Sequence, residues 1–260
     1  MKISVIIPTY NRAKFLPFAI ESVLKQSLQV DEIIVVDDGS IDNTKEVVQK
    51  YPIKYIYQNN KGVSSARNKG IKNSKNDWIC FLDSDDIWEQ DKIKEQIKFH
   101  KNNSDILFSY TNEKWFFNNK EIKQKQKHIK NNKNSFLDHI SICKIGASTV
   151  MIHKKILNDI GLFDEELKVC EDYDLWLRVL QKYNIGYIDK NLIKKIAGHK
   201  NQLSFSTIGI DYYRIIALLK HKNSKYKKEI LQEIKAKKDI LYKGALKHNN
   251  RFFINFCKSL

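Results

Sequence analysis

The sequence predicts an α/β fold built on a mostly parallel sheet flanked by helices. Three observations carry that prediction. Short β-branched or apolar runs at 2–8, 32–36, 53–57 and 78–82 alternate with stretches whose apolar residues recur at helical spacing. Polar clusters follow the strand ends: Thr9–Arg12, Asp37–Ser40 and Asp83–Asp86. Open α/β sheets bind their ligands at the carboxyl ends of the strands. Finally, 260 residues with 42% hydrophobic and 29% charged side chains suit a globular protein with a substantial core.

Taken in order, the run K-I-S-V-I-I-P at 2–8 is a strand ended by Pro8. Phe15, Ala19, Val23 and Leu24 recur at helical spacing, which predicts a helix over 13–26. E-I-I-V-V at 32–36 is a second buried strand, ending in Asp37-Asp38-Gly39-Ser40. Asp42 or Asn43 can cap the next helix, which runs to about Tyr51. A short strand at 53–57, a helix over 62–71 and the strand at 78–82 follow, then a helix over 89–101 and a strand at 105–110. Residues 113–135 are rich in Lys, Asn and Gln and predict a mobile loop or a solvated hairpin. A strand near 147–152, a helix over 172–183 and short strands at 185–188 and 192–197 complete this part. The tail over 210–248 has helical apolar spacing and many lysines.

The formal charge of +16 is unevenly spread. Residues 1–100 hold 15 Lys/Arg against 14 Asp/Glu, whereas residues 211–260 hold 13 against 4, a net of +9. A near-neutral first hundred residues argues against a nucleic-acid-binding core, which would present a basic face interleaved with aromatics. Cys80, Cys143, Cys170 and Cys257 are far apart with no C-x-x-C, as expected of reduced thiols in a reducing compartment. The apolar run Ile3–Ile7 is too short for a signal-peptide core, and no stretch approaches the ~20 apolar residues of a membrane span. A cytoplasmic location is the expectation.

The chemistry concentrates at W-I-C-F-L-D-S-D-D-I-W, residues 78–88. Asp83, Asp85 and Asp86 repel one another unless a cation joins them, and Mg²⁺ or a similar hard ion takes one or two carboxylates plus substrate phosphates. An Asp-rich turn capping the next helix is the plainer alternative. Glu171 and Asp172 open a second acidic cluster at a helix start, where carboxylates also serve as simple caps. His199 lies in a polar loop and, by position alone, reads as a surface residue.

P-T-Y-N-R, V-V-D-D-G-S, A-R-N-K-G, L-D-S-D-D and G-x-F-D followed by E-D-Y-D-L-W together resemble family 2 of the inverting nucleotide-sugar glycosyltransferases, with the GT-A fold. The resemblance covers about residues 2–205. It implies a glycosyltransferase domain over 1–205, with a nucleotide-binding half to about 110 and an acceptor half beyond it. Residues 206–260 would be a basic helical extension. Pro8, Thr9 and Tyr10 would line the base pocket, with Arg12 and Ser84 on the same nucleotide side. Asp38 would accept a hydrogen bond from the base, as a uracil N–H offers, and Arg67 would lie near the nucleotide. Asp83 would face the ribose, and Asp85, or alternatively Asp86, would hold Mn²⁺ or Mg²⁺. His199, in a loop similar to the family's H-x-x-x-x-S element, would reach the metal or diphosphate. Asp172 would be the general base, with Glu171 beside it placing the acceptor.

Processive members carry Q-x-x-R-W after the base motif; here the chain reads Y-D-L-W-L-R-V-L-Q-K-Y, which implies addition of a single sugar. The donor expected is a UDP-sugar and the acceptor a glycan or lipid-linked glycan of a surface polysaccharide. A nucleotidyltransferase is the competing enzyme class, but Pro8–Arg12 contains none of the glycine such a phosphate loop needs. In the tail, Tyr226, Ile230, Ile234, Leu241 and Ala245 share one helical face with lysines around it. That face packs on the core or, as a basic amphipathic helix, meets an anionic membrane, and both hold if the apolar face docks on the core while the lysines face lipid.

Overall fold

The structure is a computed structural model, and the residues it describes are 1–118, 120–130, 134–198 and 207–260. Strand β1 (Ile3–Thr9) leads to α1 (Leu16–Leu24), β2 (Glu32–Asp37), α2 (Thr44–Val48), β3 (Lys54–Tyr57), α3 (Val63–Asn73) and β4 (Trp78–Phe81). These pair in parallel in the order β3–β2–β1–β4, with Thr9 opposite Asp37 at the carboxyl edge. Next come β5 (Asp86–Trp88), α4 (Lys92–Asn102), β6 (Phe108–Phe117), β7 (Lys120–Ile122), α5 (Phe136–His139), β8 (Val150–His153), α6 (Lys154–Ile160), α7 (Glu171–Lys182) and β9 (Gly186–Ile196). The sheet continues from β4 through β8, β6 and β9 to β5, with β7 folded back on β6.

The pleat explains the two cores. Alternate residues of a strand face opposite sides. Ile3, Val5 and Ile7 point to the side covered by α1 and α4, where Leu16, Ile20, Ile93 and Ile97 meet them. Ile6, Ile34 and Phe81 point to the other side, toward Ala66 and Ile71 of α3 and Trp176 of α7. The packing of α3 on β1 is close: a Cβ at Gly70 would lie 2.4 Å from Ile6 Cγ2. Only glycine permits that approach.

Several expectations are refined. The two short strands foreseen at 185–188 and 192–197 form one strand, β9, whose pairing with β6 shifts register around Thr111–Glu113. The irregularity falls where the sequence loses its apolar run, which is why it reads as a break. The polar stretch after 113 is a hairpin of β6 with β7, but it is not wholly solvated. Glu113 and Lys130 are buried as an ion pair at 2.9 Å. Strand β5 and helices α5 and α6 are too short to leave a periodic signal.

The tail forms α8 (Ile210–Leu219), α9 (Lys227–Lys247) and α10 (Arg251–Ser259). Ile230, Ile234, Leu241 and Ala245 are buried, and the first three join the apolar cluster that holds Phe136, Tyr173 and Trp176. Tyr226 stacks on Phe136 with ring centroids 4.7 Å apart. Lys237, also buried, donates to Ser141 O at 2.6 Å. Of the two fates open to the apolar face, packing on the core is therefore the one observed. No helix among the described residues is long and apolar enough to cross a membrane.

Candidate active site

The carboxyl ends of β1, β2 and β4 open into a cleft of about 680 Å³. Its walls bring together Pro8, Thr9, Tyr10, Arg12, Asp38, Arg67, Asp83, Ser84, Asp85, Asp86, Glu171 and Asp172. These are all of the residues singled out from the sequence except His199, which lies outside the described residues. Sequence separation vanishes here because β1 sits between β2 and β4, so the three strand ends are neighbours.

At one end Asp38 is buried and already organised. Its Oδ1 accepts from Gln58 Nε2 at 2.6 Å and from the Lys61 N–H at 2.9 Å, and its Oδ2 from the Gly62 N–H at 2.8 Å. A carboxylate offers about four acceptor positions, so this one holds the 58–62 turn and retains little further capacity. Asp37, its neighbour in the same polar cluster, serves the turn after β2: it accepts from the Ser40 N–H and the Tyr55 hydroxyl. Thr9 Oγ1 is buried with no hydrogen-bond partner among the described residues, whereas Tyr10 is 46% exposed at the cleft mouth.

In the middle, Arg67 ties the two acidic clusters together. Its Nη1 donates to Glu171 Oε1 at 2.6 Å and its Nη2 to Asp83 Oδ1 at 2.7 Å. Phe163 covers the guanidinium, 5.2 Å from the ring centre. Burial opposes its charge, but the two carboxylates hold Arg67 protonated. Burial likewise works against the Asp83 carboxylate, and Arg67, with Lys195 behind it, still holds that group below its ordinary pKa.

Asp86 is only 2% exposed and accepts from the Ser148 hydroxyl at 2.7 Å. Burial pushes its carboxyl well above the ordinary value; Lys195 pulls it down while Asp85 and Asp83 push it further up. Asp85, half-buried, lines the cleft between these neighbours. Among the described residues no three His, Cys, Asp or Glu side chains are arranged to hold a metal. The donor set fits a hard cation that takes one or two carboxylate oxygens here and completes its shell with phosphate and water. It does not fit an ion that requires a closed protein cage.

The second cluster opens α7, after Cys170 in a left-handed conformation at φ 64°. That turn aims the first helical residues into the cleft. Burial raises the pKa of Glu171 against the pull of Arg67. It raises Asp172 as well, against Arg67 and the Tyr173 N–H, which donates to its Oδ1 at 2.7 Å. A carboxylate with raised pKa in a cleft is a better proton acceptor than a solvated one.

Lys195 on β9 also lines the cleft and escaped the sequence reading. One of two adjacent lysines in I-K-K-I, it gives no sign of which face it takes until β9 is paired with β5. Ser148, which bonds both the Asp83 N–H and Asp86, was equally invisible.

A curled sheet with a nucleotide-sized cleft at its switch point and two bridged acidic clusters defines an α/β transferase of GT-A type. The chain belongs to glycosyl transferase family 2, whose family model matches residues 4–161. It is 34% identical over 216 residues to the Escherichia coli UDP-Glc:alpha-D-GlcNAc-diphosphoundecaprenol beta-1,3-glucosyltransferase WfgD, covering 82% of this chain and 81% of that protein. It is 39% identical over 211 residues to an uncharacterized glycosyltransferase of Rickettsia felis, covering 77% of this chain and 34% of that one. The chain spans between 28% and 65% of the length of the first curated relatives it matches. Among solved structures, S. aureus TarS in complex with UDP-GlcNAc superposes with a TM-score of 0.75 at 25% identity, covering 91% of this chain and 72% of that one.

Proposed function

We propose that this chain is an inverting glycosyltransferase that moves one sugar from a UDP-sugar to a lipid-diphosphate-linked glycan, with help from Mn²⁺ or Mg²⁺. The observation that carries the reading is the single cleft into which Asp83–Asp86 and Glu171–Asp172 converge, bridged by Arg67. The names of WfgD, which acts on UDP-Glc and a diphosphoundecaprenol acceptor, and of the UDP-GlcNAc complex of TarS support the donor and acceptor classes.

In this reading the base and ribose lie along Pro8–Tyr10, Arg12, Asp38 and Ser84, with Asp83 at the ribose. Asp85 would hold the divalent ion, and Asp86, turned to Ser148, would support it from behind. When bound, such an ion neutralises charge on a departing diphosphate. Asp172 accepts the proton of the acceptor hydroxyl as that oxygen bonds to the anomeric carbon, and the electron pair of the broken bond leaves with the diphosphate. Attack from the face opposite the leaving group inverts the anomeric centre. Glu171, fixed by Arg67, orients the acceptor.

Residues 1–205 would be the catalytic unit and 206–260 its extension. The lysines on the outer surface of α9, among them Lys228, Lys235 and Lys243, are exposed. Each basic residue near an anionic bilayer contributes ~1 kcal/mol, so this surface would hold the enzyme at the cytoplasmic leaflet beside its acceptor. The test of the catalytic reading is a hydrolysis screen of UDP-, GDP- and dTDP-sugars with and without Mn²⁺, followed by transfer to a GlcNAc-diphospholipid. Failure to hydrolyse or transfer from any donor overturns it.

A further inference from the structure

Lys195 is a cation in the cleft to which the scheme above gives no task. It stands on β9 directly opposite Asp86 of β5 in an antiparallel pair. Opposed residues of such a pair present their side chains on one face, with Cβ atoms roughly 5 Å apart. Lys195 thus shares a face with Asp86 and lines the cleft with Asp83 and Asp85. Its remaining acidic neighbour is Glu113. That carboxylate is already served by Lys130 at 2.9 Å and by the Trp115 indole N–H at 2.8 Å. With Glu113 already served, the Lys195 ammonium stands between that ion pair and the aspartate cluster, with charge to spare for the latter.

Burial holds one of the three aspartates, Asp86, toward its protonated form, and Lys195 and a share of Arg67 stand against the rest, so the cluster has little negative charge to spare for a divalent ion. The phosphates of the donor must supply the rest, and they arrive where Lys195 already is. Lysine suits this task, being a compact point charge on a flexible stem.

The geometry points to Lys195 as a direct ligand of the donor diphosphate, a resident ammonium that faces the leaving oxygens. This rests on the glycosyltransferase reading. As the bond from the anomeric carbon to the diphosphate oxygen breaks, its electron pair stays on that oxygen and negative charge grows there. Lys195 transfers no proton; its charge offsets part of the growing one. The acceptor proton goes to Asp172, as before.

Two effects of opposite sign follow from removing this charge. A metal-free nucleoside diphosphate loses a partner, while a bare cation loses a competitor. The full chain and its Lys195→Gln and Lys195→Arg variants would be titrated with UDP in EDTA, with uridine by ligand-detected NMR, and with Mn²⁺ alone. For Lys195→Gln we expect UDP affinity to fall at least tenfold, uridine binding to stay unchanged, and Mn²⁺ binding to tighten. Lys195→Arg, which keeps the charge, should recover most of the UDP affinity. Unchanged UDP affinity in Lys195→Gln overturns the assignment, as does an equal loss for UDP and uridine, which marks a deformed pocket. A wild-type chain that binds none of UDP, GDP and dTDP even with Mn²⁺ present overturns the glycosyltransferase reading together with it; wild-type binding with an unaffected variant sinks the Lys195 assignment alone.

Discussion

Replacing Arg67 by Met removes the one side chain among the described residues seen to bond both acidic clusters. The guanidinium is 4% exposed and makes two charge-assisted hydrogen bonds, at 2.6 and 2.7 Å. Removing one partner of a buried ion pair costs about 3–5 kcal/mol, because the other charge stays behind unpaired. Glu171, with a side chain 10% exposed, bears nearly all of that cost, while Asp83, at 29%, can recruit water. The lower end, about 3 kcal/mol, is the expectation at neutral pH. At roughly 2–4 °C per kcal/mol for a chain of this size, the melting temperature should fall by about 6–12 °C.

The pH dependence has a definite sign. Asp83 has a lowered folded-state pKa, so its contribution is present above the unfolded carboxylate value and lost as pH falls through the folded one. Glu171 has a raised pKa, and its burial favours the folded state most at low pH. Both facts make the Arg67→Met penalty greatest near neutrality and smaller near pH 4. Arg67 also pulls down the pKa of Glu171 and Asp172. Without it, the acid limb of donor turnover should move to higher pH. Arg67→Lys keeps a charge but not the fork that spans two carboxylates, so it should fall between the two. Thermal melts at pH 7 and pH 4, with a pH–rate profile, check each point. A wild-type melting temperature and an unmoved acid limb in Arg67→Met would refute the bridge as a functional element.

Three further outcomes are expected. Asp172→Asn keeps the shape and the Tyr173 N–H contact but loses basicity, so turnover should drop ~10²–10⁴-fold with donor affinity unchanged; retained transfer would move the base to Glu171. Asp85→Asn should weaken Mn²⁺-dependent UDP binding at least about tenfold, while Asp86→Asn, whose amide oxygen can still accept from Ser148, should bind nearly normally; calorimetry showing no loss in either variant removes the metal from this cluster. The full chain should co-sediment with anionic liposomes at low salt, release as salt rises, and ignore neutral liposomes; a Lys228→Glu, Lys235→Glu, Lys243→Glu variant that sediments equally well would exclude α9 from the contact.

The half of the sheet built from β3, β2, β1 and β4 was legible because each strand is a short apolar run bounded by turn residues. In β1, β2 and β4 burial on both faces demands apolar side chains nearly throughout, and that demand is local, while β3 is a half-exposed edge strand. The acidic motifs were legible because each adjoins the element that aims it, Asp38 and Asp83–Asp86 at strand ends and Glu171–Asp172 at the start of α7. The long reach of β9 was not, since its middle residues Asp189–Asn191 are polar and exposed. The tail was half legible, its helical face being evident but its partner unknown.

The sequence alone determined which residues bear charge at the strand ends, that β1, β2 and β4 alternate with helices, and that the last fifty residues are strongly basic. Only the tertiary structure decided how those charges are paired. Arg67 meets Glu171 across 104 positions of chain, Ser148 reaches Asp86 across 62, and Lys195 joins the aspartates through the pairing of β9 with β5. Such contacts depend on strand order and register, which no local window encodes. The apolar face of α9 was equally open in sequence and closed in structure, because burial against Phe136 and its neighbours is a property of the assembled core.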